Sequence, residues 1–515
     1  MTFWTPDNLR AATGGAWLHR PPLIELPKDR PADMPLPPLH APITGLSTDS
    51  RTIKPGQAFL ALKGENFDGH AYLAEVAKGG SPILIVQDAA QVPERGFQPA
   101  CGVLKVEDTG KALLRIAAAY RKSLARTKVI AVCGSNGKTT TTRLISQILS
   151  RTMRGTASVK SFNNSIGVPL TILGAKENDQ YLICEVGTNA PGEIAELGAV
   201  VQPDIAVVTS IGREHLEKLG DIAGVAKEEA AIFAFLRPTG CAIITADSPE
   251  LAEHAKSVKN LITFGRSPEA TIRLASVKHA VGPEGMGLVF TTNARQEFRL
   301  PLVGEHNALN ALAAVAVARR LGVDERRAAE ALATAGGAEM RLTRLEIGGM
   351  TVLNDAYNAN PDSMIAGIDT ALSLRAAGMG PGRTVLVLGE MLELGAASAD
   401  AHIAVAKHIA DRHAAGKSID LVALVGAGMQ AARDQLMRSG WTRDRVAWFP
   451  NADGDQAAEI AGLCSRGDLV LIKGSRRVKL ERVVAVIQEG SEPDDEGEAA
   501  ARARRRAPGG VLVSE

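Results

Sequence analysis

The segment Gly134-Ser135-Asn136-Gly137-Lys138-Thr139-Thr140 contains the residue types needed to hold a polyphosphate. Glycines let backbone N–H groups close around phosphate oxygens, a following helix adds its positive end, and Lys138 supplies a full charge. Thr139 is placed to ligate a magnesium ion. Longer loops of this kind carry a glycine where this chain has Val132, so the motif is the shorter G-x-x-G-K-T-T form. A glycine-rich turn with GKT by chance is the competing reading. The setting argues against it, because the apolar run Lys128 to Cys133 precedes the loop and the helical pattern TTTTRLISQIL follows it.

Four further neighbourhoods narrow the chemistry. Ser161 to Leu170 (SFNNSIGVPL) brings Asn163 and Asn164 just after the first helix, and Cys184-Glu185-Val186-Gly187-Thr188 puts a carboxylate at the end of an apolar strand, where it can complete a magnesium shell begun by Thr139. Thr209 to Glu217 (TSIGREHLE) carries His215 after the next strand, and Gly304 to Asn310 (GEHNALN) can present amides to a nucleotide base. Singly, each has a bland alternative: Glu185 as a turn cap, His215 as a satisfied polar residue, Asn307 as a helix N-cap.

Such residues need strand ends and helix starts to hold them. With 515 residues, 45% apolar content and 22% charge, the chain is too long for one core and too hydrophobic to be disordered. Residues 1–108 read as a small α/β domain with short strands (Ala58 to Leu62, Ile83 to Val86) and a proline-rich loop at 31–43. Residues 109–338 alternate apolar strands (YLICEVG, DIAVVTSIG, GCAIITAD) with helical patterns, predicting a mostly parallel sheet whose last helix is HNALNALAAVAVARRLG. Residues 339–490 repeat the alternation with TVLVLGE, DLVALVGAG and DLVLIKGS, predicting a smaller doubly wound, Rossmann-like domain. The stretch 491–515 sets an acidic block before a basic one without apolar periodicity and reads as a disordered tail.

The 58 basic and 57 acidic residues give a net charge of +1, so no global field draws the chain to nucleic acid or to an anionic membrane. No apolar stretch approaches the roughly 18 to 20 residues of a membrane span, and the N-terminus has no export signal. Five cysteines at 101, 133, 184, 241 and 464, without a C-x-x-C pair, fit buried thiols in a reducing, cytoplasmic compartment.

In this order and at these strand ends, the motifs resemble the Mur ligase family, which includes folylpolyglutamate synthetases; the resemblance runs to about residue 490. Within the family, Asn354 to Met364 (NDAYNANPDSM) looks like the branch that joins D-alanyl-D-alanine to UDP-N-acetylmuramoyl-tripeptide. Support comes from Ser47 to Arg51, Gly64 to His70, Gly389 to Gly395 and Lys473 to Arg476, and from the lack of the sibling D-N-P-R motif. The resemblance implies an α/β chain of three domains: a small N-terminal domain for the UDP end, a central phosphate-loop ATPase-like domain, and a Rossmann-like C-terminal domain.

The same resemblance implies ATP and Mg2+ as cofactors and an acyl-phosphate intermediate in the last cytoplasmic step of pentapeptide precursor assembly. Lys138 would hold the β- and γ-phosphates, Thr139 and Glu185 a first magnesium, and His215 a second. Asn307, Arg341 and Asp355 would hold the nucleotide from the domain junction, while Asn163, Asn164, Asn358 and Asn360 would face substrate. Where the family often has a carbamylated lysine, this chain has Glu229; the favoured reading is a permanent carboxylate there, the others a one-turn shift that makes Lys227 the modified residue, or a glutamate that simply faces solvent. Ser50 and Arg51 are candidates for the diphosphate, with a structural ion pair as the alternative. Lys473 and Arg476 would hold the dipeptide carboxylate or cap the last strand, with equal weight. A motor-like ATPase and a nucleotide-binding module without chemistry are the rivals from other classes, and a monomer is the default expectation.

Overall fold

The computed structural model describes residues 3–21, 43–92, 101–282 and 285–490. The tail 491–515 and all but the last residue of the proline-rich 31–43 stretch lie outside the described residues. Among the described residues the strands assemble into three sheets.

The first holds β1 (Ala16–His19), β2 (Gly45–Ser47), β3 (Gln57–Leu60), β4 (Ile83–Val86) and β5 (Gly102–Lys105) in the order β1-β5-β4-β3-β2, parallel except for β1. Strand β4, Ile-Leu-Ile-Val, is buried along its whole length, as a parallel strand covered on both faces must be.

The central sheet is ordered β14-β13-β12-β11-β10-β9-β6-β8-β7. Its strands β6 (Lys128–Cys133), β7 (Gly155–Ala157), β8 (Tyr181–Glu185), β9 (Ile205–Val208), β10 (Cys241–Thr245), β11 (Leu261–Gly265) and β12 (Ile272–Gly282) run parallel. Strands β13 (Gly285–Thr292) and β14 (Glu297–Leu300) then return antiparallel, an extension the sequence reading did not anticipate. Apolar and polar residues alternate there instead of forming a continuous apolar run, because only one face is covered, around the stacked Phe290 and Phe298 rings (5.1 Å between centroids). The helix His306–Arg320 is apolar nearly all round and is buried against the helix Lys138–Leu149. It is not the last helix of this region. Glu325–Leu332 follows, capped by Asp324, and its apolar face of alanines plus Leu332 makes a weaker sequence signal.

The third sheet contains β15 (Thr343–Ile347), β16 (Met350–Asp355), β17 (Thr384–Gly389), β18 (Leu421–Val425), β19 (Val446–Phe449) and β20 (Leu469–Lys473), ordered β15-β16-β20-β17-β18-β19. All but the hairpin strand β15 are parallel. Helices cover both faces and give one apolar cluster on each side, the doubly wound arrangement expected from the sequence.

The helix Thr109–Ser123 ties the first sheet to the second. Asp108 caps its start by accepting from Lys111 N–H, and its apolar face packs on the helices Pro6–Thr13, Gly167–Gly174 and Glu193–Val201 within one core cluster. Its polar side is equally committed: Tyr120 donates to the Ala175 carbonyl (2.7 Å), and buried Arg121 donates to the Val201 and Gln202 carbonyls (2.9 Å each). All five cysteines are free thiols, four of them buried. Among the described residues no helix is long and apolar enough to cross a membrane.

Candidate active site

Parallel strands open their carboxyl ends onto one side of a sheet, where open α/β folds bind ligands. The phosphate loop leaves β6 there and enters the helix Lys138–Leu149. It is pinned from β9: Ser135 N–H donates to the Ser210 carbonyl (2.8 Å), Asn136 N–H to Ser210 Oγ (3.0 Å), and Gly212 N–H to Ser135 Oγ (2.9 Å). Gly137 has φ +85°, and a Cβ there would stand 2.1 Å from Asn310 Oδ1 at the start of the His306–Arg320 helix. Gly137→Ala is therefore expected to weaken ATP binding at least about tenfold, roughly 1.4 kcal/mol, because it combines a strained backbone with displacement of Asn310. Titration calorimetry with ATP measures this; unchanged affinity would refute the steric account.

The loop faces a cleft of about 510 Å³ between the second and third domains. From the central domain it is lined by Ser135, Asn136, Gly137, Lys138, Thr140, Asn163, Asn164, His215 and Asn307. From the third domain come Arg341, Asp355, Asn358, Asn360, Lys473 and Arg476. These are residues the sequence reading singled out, brought together from positions more than three hundred residues apart. Thr139 and Glu185 lie just beneath. Thr139 Oγ1 is 3.2 Å from Ser161 Oγ, which accepts from Arg341 (3.1 Å), and the Arg341 guanidinium stacks 4.1 Å above the Tyr357 ring.

Glu185 is completely buried. Its Oε1 accepts from Asn163 Nδ2 (3.0 Å), while Oε2 has no partner, and burial pushes its pKa up despite nearby Arg341 and Lys138. A buried carboxylate oxygen with nothing to bond, beside a threonine hydroxyl and a phosphate loop, has the donor chemistry that fits a hard divalent cation. Among the described residues, no group of three or more His, Cys, Asp and Glu side chains is gathered as a ready-made metal cluster.

Lys138 sits among carboxylates. Burial works to lower its pKa, but Glu214 (3.8 Å), Glu229 and Glu185 outweigh it and raise it, so the ammonium stays charged. Glu229 is fully buried beneath the loop, where Oε2 accepts from Gly134 N–H (2.8 Å), contrary to a solvent-facing position; burial pushes its pKa up, against the pull of Lys138. Lys227 is exposed, and Glu228 is spent on the helix Glu193–Val201, accepting from Gly192 and Ile194 N–H (2.8 Å each).

Several roles foreseen for single residues are shared in the structure. Asn307 is the second residue of its helix, not its N-cap; its Nδ2 donates to the Val303 carbonyl (2.8 Å) and its Oδ1 accepts from Asn310 Nδ2 (3.0 Å). Asn360 caps the helix Pro361–Ala376 and donates to Asn136 Oδ1 (3.0 Å). Lys473 Nζ is bonded to Asp355 (2.7 Å) and the Asn358 carbonyl (3.0 Å), and Arg476 pairs with Glu481 (3.2 Å). Arg51 and neighbouring Ser50 lie in the first domain outside the cleft, and Arg51 is held by Asp49 (2.8 Å). Sequence reasoning missed Glu214, Arg213, Asp362 and Glu393. All four stand inside segments quoted above, Arg213 and Glu214 beside His215, Asp362 in Asn354 to Met364 and Glu393 in Gly389 to Gly395, but none was given a role there.

Three family models match the chain: Mur ligase family, catalytic domain, over 42–121; Mur ligase middle domain over 132–318; and Mur ligase, glutamate ligase domain, over 340–476. The UDP-N-acetylmuramoyl-tripeptide–D-alanyl-D-alanine ligase of Bacillus subtilis is 35% identical over 86% of this chain and 92% of its own length. The chain belongs to the Mur ligase family. The enzyme of the same name from Escherichia coli is 31% identical over 87% of this chain and 94% of its own. A crystal structure of MurF from Acinetobacter baumannii superposes with a TM-score of 0.78 at 30% identity, covering 94% of this chain and 99% of that one. Like the Mur ligases it matches, the chain is an ATP-dependent ligase with three α/β domains, and the cleft lies between the regions matched by the middle and glutamate ligase models.

Proposed function

We propose that this ligase joins D-alanyl-D-alanine to UDP-N-acetylmuramoyl-tripeptide, with Mg2+, through an acyl phosphate, in the cytoplasm. The observation that carries the reading is the cleft itself, in which the phosphate loop and His215 face Asn358, Asn360 and Arg476 across a single space, with Glu185 buried outside its lining. The substrate assignment is supported by the names of relatives that match nearly end to end.

A carboxylate and an amine do not condense at neutral pH, because oxide is too poor a leaving group. In the proposed sequence a terminal carboxylate oxygen of the tripeptide attacks the γ-phosphorus and ADP leaves. The dipeptide amine then attacks the acyl carbon; the tetrahedral intermediate expels phosphate, and the amine's proton is lost. The first step brings two anions together, so catalysis is mainly alignment and charge cancellation. Lys138 and the loop N–H groups hold the β- and γ-phosphates, Arg341 on Tyr357 braces the nucleotide from the third domain, and Arg476 faces the incoming carboxylate. Mg2+ would be held by Thr139, the free oxygen of Glu185 and His215 and would supply charge neutralisation at the phosphates, while Glu229 braces the loop through the Gly134 amide.

Glu185→Gln is expected to raise the Mg2+ concentration for half-maximal ATP turnover at least about tenfold. Thermal stability without metal should hold or rise, since a buried carboxylate with one unbonded oxygen loses its charge while the amide oxygen can still accept from Asn163. A magnesium titration with parallel melts checks both, and an unshifted midpoint removes Glu185 from the metal site. The function itself is tested by phosphate release from MgATP with the tripeptide nucleotide alone, with D-alanyl-D-alanine alone, and with both. Release that needs both, with the pentapeptide seen by mass, supports the assignment; release indifferent to either refutes it.

A further inference from the structure

The segment Gly212 to Glu217 follows β9, yet the third domain holds it at both ends. At the start, Asp362 Oδ2 accepts from Arg213 N–H (2.7 Å) while Asp362 Oδ1 takes the Arg213 guanidinium (2.6 Å). Gly212 permits this approach, since a Cβ there would lie 2.9 Å from Asp362 Oδ2 and 3.3 Å from Asn136 Nδ2. Two residues on, His215 Nδ1 meets Glu393 Oε2 at 2.7 Å, and Glu217 N–H donates to the Glu393 carbonyl (3.3 Å). Between these anchors His215 has φ +48° and ψ 30°, a left-handed conformation uncommon for a non-glycine residue. Within the central domain the nearest acidic partner of the ring, Glu214 Oε2, stands 4.0 Å from Nε2. The Arg213–Asp362 pair is itself 40% and 38% exposed, which lets it form and break at little net cost, as a contact remade in each cycle requires.

We propose that Asp362 and Glu393 are positioning residues: when the third domain docks, they draw Gly212 to Glu217 into the shape that presents Glu214 and His215 to the phosphate loop. Both carboxylates are occupied by Arg213 and His215, so they act through that segment and leave the substrates to other groups. Docking of the third domain thus assembles the site as well as closing it, and ATP bound to the undocked form meets an incomplete set of groups. The inference rests on His215 taking part in the reaction.

Asp362→Asn and Glu393→Gln keep side-chain size and remove charge. Each is expected to lower kcat about ten- to hundredfold with KM for ATP within about threefold and an unchanged melting temperature, a split that simple loss of domain adhesion would not produce. Because both act on one segment, the double variant should lose clearly less than the product of the single losses. Small-angle scattering with a non-hydrolysable ATP analogue reads docking without any peptide substrate: both variants should become as compact as wild type, so that the lost rate reports the shape of the segment and not the docking. If the acceptor assignment is wrong, wild type fails to ligate while this comparison still reports. A kcat within threefold of wild type in both variants, a loss confined to KM, or failure of either variant to compact overturns the proposal.

Discussion

Lys138→Ala is expected to lower the rate of ATP-dependent ligation by about a thousandfold or more. In the folded site the ammonium lies 3.8 Å from Glu214 and close to Glu229 and Glu185, so it balances carboxylates before any nucleotide arrives. Without it a triphosphate would enter a pocket of like charge. One unit pair at 4 Å in a partly screened site is worth about 4 kcal/mol, and each 1.36 kcal/mol in a barrier is about tenfold in rate. Steady-state kcat/KM for ATP with both acceptor and amine present measures the effect. Lys138→Arg separates charge from shape: the loop carbonyls of Gly134 and Ser135 close around a compact ammonium, so arginine should recover only a small part of the loss. A fall of less than tenfold in the alanine variant would mean that other groups carry the phosphate charge.

The second large effect falls on stability. Lys473→Met should destabilise the third domain by about 3 to 5 kcal/mol, the usual consequence of removing one member of a buried ion pair. Lys473 is only 2% exposed at the end of β20 and is fixed to Asp355 Oδ2 (2.7 Å) and the Asn358 carbonyl (3.0 Å), while Asp355 Oδ1 accepts from Leu342 N–H (3.1 Å). Methionine keeps the packing of the stem against Gly367 and leaves the Asp355 charge unmatched. For a domain of this size the loss corresponds to a drop in melting temperature on the order of 10 °C. Calorimetric melts of wild type, Lys473→Met and the double variant Lys473→Met/Asp355→Asn decide it, because the double variant should regain part of the loss. A melt unmoved by Lys473→Met would leave the lysine free to act on substrate.

The two variants also mark where sequence reading stopped. Lys138 is legible because everything that defines it is local: glycines that allow the turn, an apolar strand before and a helix after. Lys473 is not, since its partners lie 118 and 115 residues away in sequence and only the pairing of β16 with β20 brings them together. Asn360 is similar: its cap on Ser363 follows from the local pattern, whereas its bond to Asn136 spans 224 residues. Strands with continuous apolar runs, such as β6, β8 and β10, stood out because both faces are covered; β12 to β14, covered on one face, did not.

The sequence by itself determined the phosphate loop, the α/β class, the doubly wound third domain and the set of polar residues placed at strand ends. Those depend on backbone conformation and apolar periodicity, which are written into neighbouring residues. Only the tertiary structure decided which of those residues are committed to one another: Arg213 to Asp362, His215 to Glu393, Lys473 to Asp355, and Glu229 to the Gly134 amide rather than to open cleft. A buried polar atom must find a partner or keep an unmet bond. Which partner it finds is settled by the packing of whole domains, where buried Glu185 keeps one oxygen unmatched.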